Sequence, residues 1–238
     1  MISYALRLVP INHSSPDLFT LSCTSGRDIV GKPLISDGSV PAFRFESAVS
    51  KVSLPSARFR RARVTITWPS AAHPIEWDQA GLLLLRPHRD LPEPTASNAG
   101  DQSNTPSFVK IGLELVHGKL TCAVSSFENG GRAEWSLWPL SKTFGNTHAA
   151  TFEIMKHGPL LVCFLVEEEG EVVRKSLMRT VSWCFDDVGV DEPDIWVGFY
   201  VSRPDLRNES AEALEAKFND FEVETPEGII SIEDSLPL

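Results

Sequence analysis

Residues 62–68 read ARVTITW. On an extended chain Ala62, Val64, Ile66 and Trp68 fall on one face and Arg63, Thr65 and Thr67 on the other, the period of two that marks a strand with one buried and one wet side. The same alternation, bounded by Gly, Pro, Asn or Ser, returns at 80–86, 108–116, 119–127, 150–155, 160–167, 171–178, 195–202 and 216–224. His117-Gly118 and Glu169-Gly170 stand between successive runs, where hairpin turns favour glycine. This succession predicts antiparallel strands. Only Glu209 to Ala216 (ESAEALEA) predicts something else, a short surface helix before the last strand.

About a dozen strands, with no break in composition and no internal repeat, fit one two-sheet β-sandwich spanning residues 1–238 better than two domains. Residues 87–107 interrupt the strand rhythm with four prolines and almost no large apolar side chain. They predict a long, mobile loop insertion between two strands, of the kind that serves as a lid or a binding element.

With 42% hydrophobic and 23% charged residues in 238, the composition is that of a globular protein, which sets aside disorder, collagen and disulfide miniproteins. Asp plus Glu outnumber Lys plus Arg by 32 to 22, for a formal charge of −10. The basic residues are scattered apart from Arg58, Arg60, Arg61 and Arg63, so nucleic acid is not an expected partner. No apolar run reaches the roughly 20 residues needed to cross a bilayer. The start, MISYALRLVP, has no lysine or arginine before a long apolar core and no small-residue cleavage site, so a soluble, cytoplasmic protein without membrane partners is expected. Cys23, Cys122, Cys163 and Cys184 form no CxxC pair and keep no metal-ligand spacing to histidine, so reduced, half-buried thiols are expected.

Five blocks carry a family resemblance: WDQAGLLLL at 77–85, FVKIGLELVHG at 108–118, Trp135-Ser136 after a glycine turn, VGFYVSRP at 197–204 and AKFNDFEVE at 216–224. In this order and spacing they resemble the DUF1349 family, which includes the "regulation of enolase" proteins of fungi. The resemblance spans roughly residues 40 to 225. It implies a concanavalin A-like jelly roll of two antiparallel sheets, one of them concave, and the 87–107 insertion departs from the short turn that the family keeps between its first two blocks. The fold is shared by lectins, glycan hydrolases and plain scaffolds, so function must be argued from the site.

In 108–116, Phe108, Lys110, Gly112 and Glu114 point one way and Val109, Ile111, Leu113 and Leu115 the other. Lys110 and Glu114 lie about 13 Å apart along the strand and reach neighbours rather than each other. In 195–202, Trp196 and Tyr200 leave the core side and suggest a flat aromatic platform, unless they pack beneath the 87–107 loop. In 77–86 the run of leucines hides the alternation, and either Asp78 with Arg86 or Gln79 with Gly81 shares the ligand face; Gln79 is preferred, because Gly81 beside it would leave room for a ligand. Catalytic roles are therefore expected of Lys110, Glu114, Gln79 and Tyr200, and substrate contacts of Trp135, Trp196, Phe108, Arg86 and Trp77. No ExDxxE-type carboxylate run supports glycoside hydrolysis, and GxSxG, HExxH and dinucleotide fingerprints are missing, so no cofactor or metal is expected. Asp186, Asp187, Asp191 and Asp194 read equally as a calcium loop or a solvated acidic turn.

The leading expectation is a non-hydrolytic enzyme of fungal specialised metabolism. It would fold a hydrophobic small molecule on the concave sheet for cyclisation or cycloaddition, a hetero-Diels–Alder step being a concrete example, since such chemistry needs shape and a few hydrogen-bond donors rather than a nucleophile. The alternative is a carbohydrate-binding or regulatory protein-interaction module without catalytic activity. A homodimer is compatible with either.

Overall fold

The computed structural model describes residues 18–31, 43–68, 74–101, 103–130, 132–140, 149–169, 172–186, 192–205, 207 and 211–230. Its strands in chain order are β1 (Leu18–Cys23), β2 (Ile29–Gly31), β3 (Phe43–Phe45), β4 (Ala48–Leu54), β5 (Arg61–Thr67), β6 (Gln79–Arg86), β7 (Ser107–Val116), β8 (Lys119–Glu128), β9 (Arg132–Trp138), β10 (Ala149–His157), β11 (Leu160–Glu169), β12 (Val172–Val181), β13 (Ile195–Ser202), β14 (Leu214–Thr225) and β15 (Gly228–Ile230). One antiparallel sheet runs β1-β14-β5-β10-β11-β12 with β15 on β14, a second runs β4-β13-β6-β7-β8-β9, and β2 pairs with β3 alone. Among the described residues there is no helix. Residues 214–216 open β14 instead of ending a helix, because Leu214 and Ala216 are buried in the core at a spacing of two. Residues 208–210 lie outside the described set.

The two large sheets face each other across one core. Ala62, Val64 and Ile66 of β5 meet Ala80, Leu82 and Leu84 of β6, Val109, Ile111 and Leu113 of β7, and Val197, Phe199 and Val201 of β13. Each buried Val, Leu, Ile or Phe among them contributes roughly 1.5–3 kcal/mol, which is why the alternation in ARVTITW and FVKIGLEL fixes register as well as strand identity. The β7–β8 hairpin turns on His117 and Gly118, both at positive φ (52° and 69°), with Val116 opposite Lys119. That is the two-residue turn whose twist matches its strands.

The outer face of the seven-stranded sheet is ionic. Arg61 bridges Glu153, Glu222 and Glu224, Lys175 also binds Glu153, and Arg63 binds Glu168, while Arg58 pairs with Glu227. Three of the four clustered arginines are thus held by carboxylates of neighbouring strands or turns.

The outer face of the six-stranded sheet is largely roofed over. Ile29, Phe43 and Phe45 of the small β2–β3 sheet pack onto Leu83, Leu85, Phe108, Phe127, Trp196 and Tyr200, forming a second hydrophobic cluster. Phe43 lies 6.0 Å from both Phe108 and Phe127, and Phe45 meets Trp196 at 5.8 Å. Residues 87–101 and 103–106 form a string of tight turns with bridges His88↔Leu91 and Thr95↔Asn98. Leu91 is buried and Ala99 touches the second cluster. The segment extends the β6–β7 connection and is anchored at these points, with most of its other described residues exposed. The structure is the all-β, concanavalin A-like jelly-roll sandwich of two antiparallel sheets that the strand pattern and the family blocks predict.

Candidate functional site

The β2–β3 roof leaves one part of the sheet face open, and there a cavity of about 460 Å³ is floored by Gln79 of β6, Lys110 and Glu114 of β7 and Ser125 of β8. A volume of that size corresponds to roughly fifteen waters, or a ligand of comparable heavy-atom count. Register explains the floor: Gln79 is paired with Glu114 and Lys110 with Ser125, so all four side chains leave the same face. Leu82 and Leu84 stay in the core, which settles the ambiguity of the leucine run in favour of Gln79 and Gly81.

Lys110 is 4% exposed, and its ammonium donates to Asp28 Oδ1 at 3.2 Å, the carbonyl of Ile29 at 2.7 Å and Gln79 Oε1 at 2.9 Å. An ammonium has three hydrogens and no lone pair. Every donor of Lys110 is therefore engaged, and the group rivets the start of β2 to the sheet instead of reaching toward a ligand. The same bond fixes the Gln79 amide: its oxygen must face Lys110, which turns its NH₂ away as the donor available to a bound molecule.

Glu114 is buried, and its Oε2 accepts the indole N–H of Trp135 at 2.9 Å. Burial raises its carboxyl above the ordinary glutamate value, opposed by the Trp135 bond and the Lys110 charge. The neutral acid is thus favoured more than in water. Trp135, 47% exposed on the edge strand β9, and Trp77, in the turn before β6, bring their rings to 5.6 Å at 59° and form the aromatic wall. Trp77 sits at φ 73°, a conformation a bulky residue seldom adopts. Its neighbours hold it there: Trp77 N–H donates to Leu115 O, and Asp78 Oδ2 accepts from Ile75 N–H at 2.9 Å. Asp78 in turn is locked to Arg203 by two bonds of 3.1 and 3.0 Å, both side chains fully buried. Arg203 also exchanges backbone hydrogen bonds with Arg27, next to Asp28. One buried ion pair therefore ties together the chain segments that carry Trp77, Gln79 and Asp28.

Of the residues expected to act, Lys110, Glu114, Gln79, Trp135 and Trp77 line this cavity. Four are placed elsewhere. Trp196 and Phe108 are buried beneath the β2–β3 roof at 1% and 2% exposure, and Lys51 covers the Trp196 ring at 3.0 Å, so no open platform exists there. Tyr200 lies under the same roof, over Gly81: a Cβ on that glycine would stand 2.7 Å from the tyrosine ring, so the space at Gly81 holds Tyr200 rather than a ligand. Arg86 ends β6 on the core-side parity, donates to the Trp183 carbonyl at 3.0 Å and lines a different cavity. None of the described residues of 87–107 lines the 460 Å³ cavity, so that segment is not its lid. Asp187 and Asp191 lie outside the described residues.

Sequence reasoning missed Asp28, Arg44, Glu134 and Pro204, all in the cavity lining. Glu134 alternates with Trp135 on β9 and is tied to Arg179 of β12. Asp28 precedes a three-residue strand too short for any periodic signal.

No family model and no curated protein matches this chain. Among solved structures it is similar to a functionally unknown protein from Saccharomyces cerevisiae, with 15% identity, 89% of this chain and 92% of that one covered, and a TM-score of 0.59. It also overlaps the catalytic domain of an endo-1,3-β-glucanase (laminarinase) from Thermotoga petrophila at 11% identity, covering 91% and 78% with a TM-score of 0.47. The GH43 protein BlXynB from Bacillus licheniformis gives 13% identity and a TM-score of 0.48, with 76% of this chain covering 30% of that one. The first of these likenesses establishes a shared sandwich fold and nothing about chemistry.

Proposed function

We propose that this chain is a cofactor-independent enzyme that binds a small, partly apolar molecule in the 460 Å³ cavity and promotes its cyclisation. The observation that carries the reading is the state of the cavity's carboxyl groups. Among the described lining residues, Asp28 is paired with Lys110 and Glu134 with Arg179, while Glu114 has no ion pair and burial raises its carboxyl above the ordinary glutamate value. One adjustable acid suits a reaction that borrows and returns a single proton. Hydrolysis by a carboxylate pair needs two. In an addition of a ligand hydroxyl to its own carbonyl, a C–O bond forms as the carbonyl π bond opens; Glu114 gives its proton to the carbonyl oxygen and its carboxylate takes the hydroxyl's proton, so atoms and electrons balance. The Gln79 NH₂ steadies the same oxygen, and the Trp77–Trp135 wall holds the apolar part in a reactive fold. The β6 and β7 strands, which carry WDQAGLLLL and FVKIGLELVHG, build the floor of this cavity.

A second reading, carbohydrate binding, is favoured by one feature, the half-exposed Trp135 ring at the cavity mouth. A thermal-shift screen separates the two. Hydroxyaryl ketones, which join an aromatic ring to a carbonyl acceptor, are expected to stabilise the protein, with the effect lost in Trp135→Ala and Gln79→Leu. Stabilisation by mono- and oligosaccharides alone overturns the enzymatic reading. Among stabilising compounds able to cyclise, mass spectrometry and NMR should show conversion by the wild type and none by Glu114→Gln.

A further inference from the structure

Arg86, which the cavity described above leaves unused, belongs to a second one. At the opposite end of β6 a cavity of about 220 Å³ is lined by Arg86, Ser107, Glu128, Asn129 and Trp183, with Arg89 and Glu192 at its rim. The rim pair neutralises itself, Arg89 to Glu192 at 2.9 Å. The other two charges do not: Arg86 and Glu128 are both half-buried and form no ion pair with each other. Arg86 is held by one hydrogen, Nη1 to the Trp183 carbonyl at 3.0 Å, which leaves the rest of its fork to face a ligand.

The neutral groups add donors beside the arginine. Thr105 donates to Asn129 Oδ1 at 3.2 Å, so the Asn129 NH₂ remains as a donor. Ser107 Oγ accepts the Asn129 N–H at 2.9 Å and keeps its own hydrogen to give. Ser107 is the register partner of Arg86, which puts the hydroxyl and guanidinium on one wall, and Glu128 at the end of β8 supplies an acceptor of opposite sign. A separated cation and anion, each short of a counter-charge, match a molecule bearing both. The volume corresponds to about seven waters, the scale of seven to ten non-hydrogen atoms.

We propose that this second cavity binds a small zwitterion, a free α-amino acid: its carboxylate on Arg86, Ser107 and the Asn129 amide, its ammonium on Glu128, and its side chain against Trp183. The site is independent of the cyclisation reading and stands whether or not that reading does.

Isothermal titration of the full chain with each of the twenty protein amino acids tests it, alongside acetate and methylamine as single-charge probes. At least one amino acid is expected to bind. Arg86→Met and Glu128→Gln should each weaken it about tenfold or more, as the loss of one charge-assisted contact does, and both single-charge probes should bind at least about tenfold less well. Circular dichroism checks the fold of each variant, and Glu128→Gln, which keeps side-chain shape, serves if Arg86→Met does not fold. No binding of any amino acid at about 10 mM, binding indifferent to both substitutions, or acetate binding as well as the best amino acid would each overturn the proposal.

Discussion

Replacing Arg203 with methionine should be among the most damaging single changes available in this chain. Both partners of the Asp78–Arg203 pair have no solvent exposure, and the two bonds between them, at 3.1 and 3.0 Å, occupy both Asp78 oxygens. Methionine fills much of the arginine volume but leaves the Asp78 carboxylate buried with only the Ile75 N–H, and strips the Glu212 carbonyl of its 2.7 Å donor. Orphaning one member of a buried pair costs about 3–5 kcal/mol. For a chain of this length each kcal/mol lowers Tm by about 2–4 °C, so a fall of roughly 6–20 °C is expected in thermal unfolding followed by circular dichroism at pH 7. Most of the loss comes from the stranded charge rather than from the missing contact. Adding Asp78→Asn to Arg203→Met should therefore recover at least half of it, since asparagine still accepts the Ile75 bond. For the same reason the deficit of the single variant should shrink as acid protonates Asp78. A Tm within about 3 °C of wild type, or a double variant less stable than the single one, would refute the reasoning.

Glu114 should leave a pH signature in stability. Its folded-state carboxyl titrates above the ordinary value of 4.5, so its contribution is fully present below that value and is lost as pH rises through the folded one. Glu114→Gln, neutral at all pH, should accordingly have the higher Tm at pH 7–8, with the difference closing toward pH 4; a constant difference in calorimetry across that range rejects the shift. Gly198→Ala should destabilise by about 1–3 kcal/mol in urea unfolding, because the added Cβ would stand 1.9 Å from the Ser50 carbonyl on the paired strand β4; an unchanged midpoint would show that β4 can move aside.

Much of the fold was legible because strands packed against one core announce themselves by period. Nine predicted runs fall on nine observed strands, and the His117-Gly118 turn was readable from its dipeptide. Glu209–Ala216 misled because its helix formers carry only local propensity, while the burial of Leu214 and Ala216 is decided by partners far away in sequence. The site was half legible. Lys110, Glu114 and Gln79 share a face by alternation alone, but alternation names a face and not its neighbours. Nothing in FVKIGLEL says that a segment some eighty residues earlier supplies Asp28 and Ile29 to absorb the lysine's hydrogens. Trp196 and Tyr200 were placed on the correct side of the sheet, yet that side is dry there, because two strands of three residues each, too short to carry a pattern, roof it.

That roof also decides how a ligand can arrive. An open sheet face is a trough that a long chain molecule can lie across, entering and leaving by either end. With Phe43 and Phe45 seated on Phe108, Phe127 and Trp196, this trough is stoppered over one stretch, and the 460 Å³ space lies beside the stopper. A long chain molecule laid along the sheet would run into that roof, whereas a small molecule fits beside it. Length is thus selected by the roof before any side chain of the floor selects for chemistry.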